Sequence, residues 1–217
     1  MNFEQARYNM IKQQFRPWHV NDAQTLDLVT EIHREDFIPG PYRDLALADT
    51  HIPLLHGQIT MAPKVEARLL QSLTVQENDK ILEVGTGCGY LTALLARLGG
   101  VVHSVDIYPE FTEMAAKTLK QYRLENVVLH TGNALNGWVG QAPYDVIAVT
   151  GSVPILDESL QLQLKYQGRL FVIVGNSPAM KVLLIKRLGE QEWSHEELFE
   201  TDLPPLIGAA RAPGFRF

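Results

Sequence analysis

The sequence is poor in cysteine, in basic residues and in long apolar runs, and each shortage excludes a class of protein. Cys88 is the single cysteine among 217 residues, so no internal disulfide can form. Lysine and arginine total 19 against 25 aspartates and glutamates, and the net charge of -6 lacks the basic excess that phosphate-backbone binding requires. No apolar run approaches the roughly 20 residues of a membrane span. We expect neither a nucleic-acid partner nor a membrane partner.

The first residues and the overall composition indicate where the protein works and how it is organised. The opening stretch, MNFEQARYNMIKQQF, has no apolar core of the kind found in a secretory signal, which predicts a cytoplasmic protein. A hydrophobic content of 46% can bury one substantial core. We predict a single domain over 1–217, with N-terminal helices and a loop in 1–64, an α/β core in 65–175, and C-terminal strands and a tail in 176–217.

The first 64 residues change from a helical pattern to a loop. Apolar residues recur at helical intervals between residues 10 and 32, where Asn21 or Asp22 is placed to cap a helix. Proline and glycine then interrupt residues 37–64 too often for long regular elements. We expect this loop to carry functional residues.

From residue 65 onward, helical and strand patterns alternate. Helices are predicted at 65–73, 90–99, 110–124 and 159–168, and strands at 80–85, 101–106, 126–132, 144–151 and 169–175. The strands are nearly continuous apolar runs, which is typical of a parallel sheet covered on both faces. Residues 181–189 and 193–204 follow without a helical pattern between them. The sequence therefore predicts an α/β fold, a doubly wound and mostly parallel sheet with an antiparallel C-terminal edge.

The stretch ILEVGTGCGY, residues 81–90, places Gly85, Gly87 and Gly89 directly after a strand. Ligands of open parallel sheets bind at such strand-to-helix turns, where glycines allow close approach of the backbone. The dinucleotide fingerprint requires a further glycine where Tyr90 stands, which disfavours a nicotinamide dehydrogenase. Glu83 completes the pattern ExGxGxG, in which a carboxylate at the strand tip can accept a hydrogen bond from an ammonium group of the ligand, directly or through water.

A second acidic residue follows at the end of the next strand. Asp106 lies 17 positions beyond Gly89 and is placed to accept hydrogen bonds from two ribose hydroxyls. A ligand with a ribose and a charged amino-acid end, but without a pyrophosphate, fits both acids. The pattern predicts that the ligand is S-adenosylmethionine.

The glycine motif resembles motif I of the class I S-adenosylmethionine-dependent methyltransferases, and the wider chain resembles the protein-L-isoaspartate O-methyltransferase family. The resemblance runs through HGQITMAPKVEARLLQSL, ILEVGTGCGYLTALLARL, SVDIYPE, NVVLHTGNALNG and YDVIAVTGSVP. It also covers the N-terminal helices and weakens in the last forty residues. The combination of GQxxxAP and VTGSVP with motif I is much more specific than motif I alone.

The resemblance implies a seven-stranded methyltransferase fold with an N-terminal helical addition that covers the cofactor. The implied reaction is methyl transfer to the carboxylate of isoaspartyl residues in damaged proteins, whose ester collapses to a succinimide and reopens partly to aspartate. Alignment in a desolvated pocket supplies most of the acceleration, so neither a general base nor a metal is implied. The alternative is a relative that binds the cofactor but methylates another acceptor or has a regulatory role.

The resemblance also implies which residues form the site. Those expected at the cofactor are Glu83, Gly85, Thr86, Gly87, Gly89, Asp106, Ile107, Asn133 and Ala134. Those expected over the reacting centre are Gln58, Thr60, Met61 and Lys64. The turn next to the acceptor peptide is expected to contain Thr150, Gly151 and Ser152.

The chain departs from the family pattern in the loop and after the third strand. Met61 replaces a serine and cannot donate a hydrogen bond to the acceptor carboxylate. Ile59 replaces a frequent threonine, and Thr60 could substitute for it if the loop shifts by one residue. Lys64 could attract the acceptor carboxylate or be solvated at a helix start. Asn133 stands where the family has an acid, and its amide oxygen can still accept from the adenine amino group.

Four further features have two interpretations each. Trp138 could pack on adenine or belong to the core, and Cys88 could be a reactive thiol near a helix N-terminus or a small residue that fits the turn. His51 and His56 flank the loop, but without a third ligand at a suitable spacing they predict no metal site. The tail, with Arg211 and Arg216 among apolar residues, could cover the sheet or contact a partner.

Overall fold

Seven strands form one hydrogen-bonded sheet in the structure, a computed structural model that describes residues 1–209. The strands are β1 (Lys80–Val84), β2 (Val101–Asp106), β3 (Val127–Thr131), β4 (Tyr144–Val153), β5 (Leu164–Asn176), β6 (Ala179–Arg187) and β7 (Trp193–Thr201). Their order across the sheet is β3-β2-β1-β4-β5-β6-β7. The first five pair in parallel, and β6 and β7 continue the sheet in antiparallel fashion. The predicted α/β class and antiparallel C-terminal edge are confirmed.

The helices are α1 (Phe3–Met10), α2 (Ala23–Glu31), α3 (Pro63–Leu73), α4 (Tyr90–Leu98), α5 (Pro109–Gln121) and α6 (Glu158–Leu162). A π-helical turn at Ile11–Phe15 extends α1, and single 3-10 turns lie at Arg16–Trp18, Arg34–Asp36, Gly40–Leu45, Leu55–Gly57 and Val139–Gln141. Asp22 caps α2 by accepting a hydrogen bond from the Thr25 amide, so the second of the two cap candidates is correct. None of the helices in 1–209 combines the length and apolarity needed to cross a membrane.

Alternation along the strands sorts side chains onto two faces of the sheet. Ile81, for example, packs into a core with α2 to α5, whereas Leu82 and Val84 point to the other face. That second face is covered more thinly, by α6 and by the loop that contains Trp138. Fully burying one such aliphatic side chain stabilises the fold by about 1.5–3 kcal/mol, which explains the apolar character of these strands.

The helix predicted at 159–168 is wrong for most of its length. Helix α6 ends at Leu162, and β5 begins at Leu164, which is fully buried and pairs with Tyr144 of β4. The alternating stretch LQLQL lies mostly within α6, so its period does not mark the strand. Pairing with β4 and the burial of Leu164 decide the structure from residue 164 onward and override the local helical pattern.

A buried ion pair fastens the N-terminal segment to the rest of the fold. The Arg34 guanidinium lies 2.9 Å from the Glu66 carboxylate on α3 and donates to the carbonyls of Ala46 and Met61. Both charged side chains are almost completely buried. Because the pair connects α3 to two points of the loop between residues 37 and 64, it holds that loop in place. Arg211 and Arg216 of the tail lie outside the described residues.

Candidate active site

A cavity of about 740 Å³ opens at the carboxyl edge of the parallel strands. Its walls include the ends of β1, β2 and β4, with Val84, Asp106 and Thr150 as representatives. The order in which successive strands are added to the sheet reverses between β1 and β4, and open parallel sheets bind their ligands at such switch points.

The glycine turn after β1 forms one wall of this cavity through Gly85 and Gly87. Gly85 has a φ of +98°, and a Cβ there would lie 2.2 Å from the Thr150 hydroxyl oxygen. That hydroxyl donates to the carbonyls of Val84 and Gly85 and so fastens the turn to β4. Only glycine fits such a close approach in this backbone conformation.

Gly89 has a different function from the other two glycines. It does not line the cavity but begins α4 with a φ of +84°, and a Cβ there would lie 2.7 Å from the Cβ of Ala115. This glycine therefore allows α4 and α5 to pack closely. The sequence predicts Gly89 beside the cofactor, and the structure gives it a packing function at the start of α4.

Asp106 lies at the end of β2 and faces the cavity. Its carboxylate accepts hydrogen bonds of 3.0 Å from the backbone N–H groups of Gly87 and Tyr108. Burial raises the pKa of this carboxyl above its usual value, and these N–H donors oppose the increase. Asp106 is the one charged side chain in the described lining, so negative charge in this cavity is concentrated at a single point.

The residues after β2 and β3 complete this side of the cavity. Ile107, Asn133 and Ala134 all line it, and their contact with the cofactor stays a prediction. The side-chain oxygen of Asn133 accepts a hydrogen bond of 2.9 Å from the Leu135 amide. A ligand donor would therefore share this oxygen, which has a second lone pair to offer.

Residues 52–60 form a short hairpin over the opposite side of the cavity, called here the 52–60 hairpin. Pro53 and Ile59 pair across it, and the Leu54 amide donates to the Gln58 carbonyl. The side chains of Leu54, Gln58 and Ile59 line the cavity. The predicted position of Gln58 over the site agrees with this arrangement.

Thr60 and Met61 do not line the cavity, whereas the sequence predicts them over the reacting centre. Thr60 is buried, and its hydroxyl accepts from the Ile52 amide, which holds the base of the hairpin. Met61 is also buried in the core, and its carbonyl accepts from Arg34. Alternation after Ile59 accounts for Thr60, which faces away from the cavity. Met61 does not follow this alternation, and its segment is held toward the core by the bond from Arg34 to its carbonyl. The loop shift that would bring Thr60 to the site does not occur.

Lys64 is also absent from the described lining of the cavity. Its ammonium lies 2.6 Å from a carboxylate oxygen of Asp49 and 4.1 Å from the centre of the Trp18 ring. These contacts give Lys64 a local structural role at the start of α3. Neither the predicted position over the reacting centre nor full solvation at the helix start describes it.

Glu83 lies on the helical face of β1 and is wholly buried. One carboxylate oxygen accepts from the hydroxyls of Thr92 and Ser104, and the other has no hydrogen-bond partner within 1–209. Burial raises the pKa of this carboxyl to about 8. Glu83 therefore does not line the cavity, whereas the sequence predicts that it interacts with an ammonium group of the ligand directly or through water. Thr86 is likewise buried beneath the turn, 2.7 Å from Ser104, and does not line the cavity.

Sequence reasoning missed the C-terminal wall of the cavity, which residues 203–207 form. Ser152 anchors this segment by donating from its backbone to Pro204, accepting from the Leu206 amide and donating from its hydroxyl to Leu203. Thr150 and Gly151 line the cavity beside it, whereas Ser152 is buried. The segment has no periodic pattern that would have revealed this position, and its two consecutive prolines indicate only a loop.

The remaining candidates belong to the structure around the site. Trp138 packs against Gly132 and His130 on the thinly covered face and does not line the cavity, which favours the core interpretation over the adenine contact. Cys88 is buried, and this burial raises the pKa of its thiol to about 11, contrary to a reactive thiol. His51 lies 2.9 Å from the Thr60 carbonyl oxygen through its Nδ1. Within the described chain, no three histidine, cysteine or acidic side chains are grouped as metal ligands.

Solved structures show which class of protein this fold and cavity define. The chain superposes on a protein-L-isoaspartate O-methyltransferase with a TM-score of 0.79 and 23% identity, covering 94% of this chain and 66% of the other. A second, a Plasmodium falciparum protein-L-isoaspartate O-methyltransferase in complex with S-adenosyl-L-homocysteine, gives 0.80 at 18% identity, with 95% and 98% covered. The protein therefore has the fold of this methyltransferase class.

The sequence comparisons identify the family itself. The profile of the Protein-L-isoaspartate(D-aspartate) O-methyltransferase family matches residues 5–210, and the chain belongs to this family. A protein-L-isoaspartate O-methyltransferase of Rhodopseudomonas palustris is 34% identical over 201 residues, which is 92% of either chain. One of Myxococcus xanthus is 38% identical over 165 residues, covering 76% of this chain and 78% of the other.

Proposed function

We propose that the protein transfers a methyl group from S-adenosylmethionine to the free carboxylate of isoaspartyl residues in damaged proteins. Membership of the family supports this activity. The observation that carries it at the site is the single cavity shared by the glycine turn, Asp106 and Gln58. The glycine turn and Asp106 lie at the strand ends, and Gln58 lies on the 52–60 hairpin. One cavity thus offers walls to a cofactor and to an acceptor that must meet.

The lining fits the cofactor at one end of the cavity. Gly85 and Gly87 expose the backbone, and a Cβ at Gly87 would enter the space in front of Leu54. The Asp106 carboxylate is placed to hold the ribose hydroxyls, and Asn133 to accept from the adenine amino group. Ile107 and Ala134 supply apolar walls beside them. In this proposal Glu83 does not contact the cofactor directly. It lies behind the glycine turn, where its carboxyl accepts hydrogen bonds from Thr92 and Ser104.

When bound, S-adenosylmethionine supplies a methyl group on a positively charged sulfur atom. The chain has to align an acceptor carboxylate with that methyl group and exclude water. Leu54, Ile59 and Leu206 form apolar walls suited to that exclusion. Because opposite charges of the acceptor and the sulfonium are neutralised during transfer, apolar surroundings favour the reaction. A carboxylate is ionised at neutral pH, so no residue has to remove a proton from it.

Gln58 is the residue we assign to the acceptor carboxylate. Its side-chain nitrogen donates one hydrogen bond of 3.2 Å to the His56 carbonyl, which leaves its other N–H for the acceptor, and it stands on the hairpin that faces the glycine turn. Thr150 and Gly151 supply the facing wall. Thr60, Met61 and Lys64 have no part in this assignment.

Replacing Asp106 tests the cofactor end of the proposal. Asp106→Ala removes the one charged acceptor in the cavity, and we expect the KM for S-adenosylmethionine to rise by roughly tenfold or more, since hydrogen bonds to charged groups contribute about 1.5–3 kcal/mol. The assay is transfer of a labelled methyl group to an isoaspartyl peptide. Asp27→Ala, at an exposed position on α2, is the matched control and should behave as the wild type. Equal KM values for Asp106→Ala and the wild type would contradict the assignment.

Replacing Gln58 tests the acceptor end separately. Gln58→Ala should raise the KM for the isoaspartyl peptide while leaving the KM for the cofactor within about twofold, because one lost N–H is assigned to the acceptor and the other reaches only the exposed His56 carbonyl within the hairpin. Gln14→Ala is a control, since Gln14 bonds the Leu47 carbonyl away from the cavity. An increase in the cofactor KM alone would reverse the orientation of the two ligands in the cavity.

A further inference from the structure

His56 stands at the tip of the 52–60 hairpin in an unusual backbone conformation. Its φ of 56° and ψ of 26° lie in the left-handed region, which residues other than glycine seldom adopt. Such a conformation persists when surrounding contacts hold it in place. The contacts of its side chain are therefore informative.

The imidazole ring of His56 reaches across to the segment after β2. It lies flat on the ring of Tyr108, with centroids 4.0 Å apart and planes 8° from parallel. It also meets Phe111 edge-on at 6.0 Å, and its Nε2 is 3.4 Å from a carboxylate oxygen of Glu110. Tyr108 and Phe111 both line the cavity, although His56 itself does not.

The hairpin is anchored at its base by contacts that do not involve this ring. The Ile52 amide donates to the Thr60 hydroxyl, and Arg34 holds the carbonyl that follows at Met61. Beyond the base, Leu54 faces Gly87, where a Cβ would lie 3.7 Å from the leucine methyl carbon. Hydrogen bonds therefore hold the base of the hairpin, and its tip contacts Tyr108 and Phe111 on the cavity wall that follows β2.

We propose that His56 is a positioning residue that holds the 52–60 hairpin closed over the cavity through its stack on Tyr108. The identity of the ligand rests on the proposed function, whereas the closure is a property of the chain alone. The hairpin brings Gln58 to the site, so releasing the ring would loosen both the acceptor wall and the cover over the cofactor. The stack carries the closure, and the contact with Glu110 adds to it.

Four variants distinguish the stacking of the ring from its polar contact with Glu110 and from a general loss of stability. His56→Ala removes the ring, and His56→Phe keeps a flat ring without the ring nitrogens. Glu110→Gln removes the carboxylate that faces Nε2 and keeps the stack. His19→Ala is the matched control, because His19 also has a left-handed backbone, with a φ of 59°, and is exposed away from the cavity.

The first measurement follows the hairpin without any ligand. Spin labels are attached through Leu55→Cys at the hairpin tip and Lys117→Cys on α5, both exposed positions. The buried Cys88 thiol does not compete for the label. We expect one narrow distance distribution for the protein with His56, with His56→Phe and with His19→Ala, and a broader, longer distribution for His56→Ala. An unchanged distribution in His56→Ala would overturn the proposal.

The second measurement is the dissociation rate of S-adenosylhomocysteine, used as the probe ligand. His56→Ala should release it roughly two- to tenfold faster, which is the range for loss of an aromatic pair, while His56→Phe and His19→Ala stay within about twofold of the wild type. A purely structural role would lower the melting temperature without changing this rate. If the wild type does not bind the probe but the label distances respond to His56→Ala, the proposed function fails and the closure stands. Equal release rates in His56→Ala and the wild type would overturn the role of His56 at the site.

Discussion

Replacement of the buried Glu83 by glutamine should remove a pH dependence from the stability of the fold. Glu83 is fully buried, with hydroxyl donors on one carboxylate oxygen and no partner for the other within 1–209. Burial raises the pKa of this carboxyl from its ordinary 4.5 to about 8. Glu83→Gln keeps the shape and the bonds to Ser104 and Thr92, but it cannot ionise.

The size of the effect follows from the two pKa values. Between pH 4.5 and about 8, the folded protein keeps the proton on Glu83 and the unfolded chain releases it. The stabilisation is therefore fully present below pH 4.5 and is lost as the pH rises through about 8. One pH unit within this range corresponds to about 1.4 kcal/mol, so the contribution of Glu83 to the free energy of unfolding falls by roughly 3 kcal/mol from pH 5 to pH 7.

Urea unfolding of the wild type and Glu83→Gln at pH 5, 6, 7 and 8 measures this difference. The difference between the free energy of unfolding of the variant and that of the wild type should shift in favour of the variant as the pH rises, because the variant has no charge to bury. Glu113→Gln, at an exposed position on α5, is the control and should follow the wild type at every pH. Parallel curves for the wild type and Glu83→Gln would show that Glu83 is already ionised in the folded protein, and would refute the reasoning.

Three further changes test other parts of the structure. Gly85→Ala should lower the free energy of unfolding by about 2–4 kcal/mol in urea, because the new methyl group meets Thr150 in a left-handed backbone, and a variant as stable as the wild type would contradict this geometry. Arg34→Met leaves Glu66 as a buried charge without its partner and should cost about 3–5 kcal/mol in the same assay, whereas a loss below 1 kcal/mol would mean that the pair is not buried. The buried Cys88 should react with a thiol reagent only after urea unfolding, so rapid labelling of the folded protein would be the opposite result.

The sheet and the centre of the site could be predicted because each has a local signal. Continuous apolar runs identified the parallel strands, and the spacing of glycines after one of them located the turn. Asp106 follows from its place at the end of the next strand. Their positions depend only on where each parallel strand ends, because those ends share the carboxyl edge of the sheet. The alternation of strand and helix patterns in the sequence indicates these ends.

Side-chain direction separates the predicted site residues that line the cavity from those that do not. Glu83 stands at a strand tip, yet alternation along β1 turns it toward α4 and away from the cavity. The same rule turns Thr60 into the core while Ile59 faces the cavity. The wall at residues 203–207 depends on backbone bonds to Ser152 over about fifty residues of chain, and no local pattern encodes such a contact.

Methyl transfer to a defined peptide tests the central conclusion most directly. The purified protein is incubated with S-adenosylmethionine carrying a labelled methyl group, and with either an isoaspartyl peptide or the same peptide containing aspartate. We expect labelled methyl ester on the isoaspartyl peptide and only background label on the aspartyl peptide. Asp106→Ala should reduce transfer when the cofactor is limiting. Binding of S-adenosylhomocysteine without transfer to the isoaspartyl peptide, or equal transfer to both peptides, would contradict it.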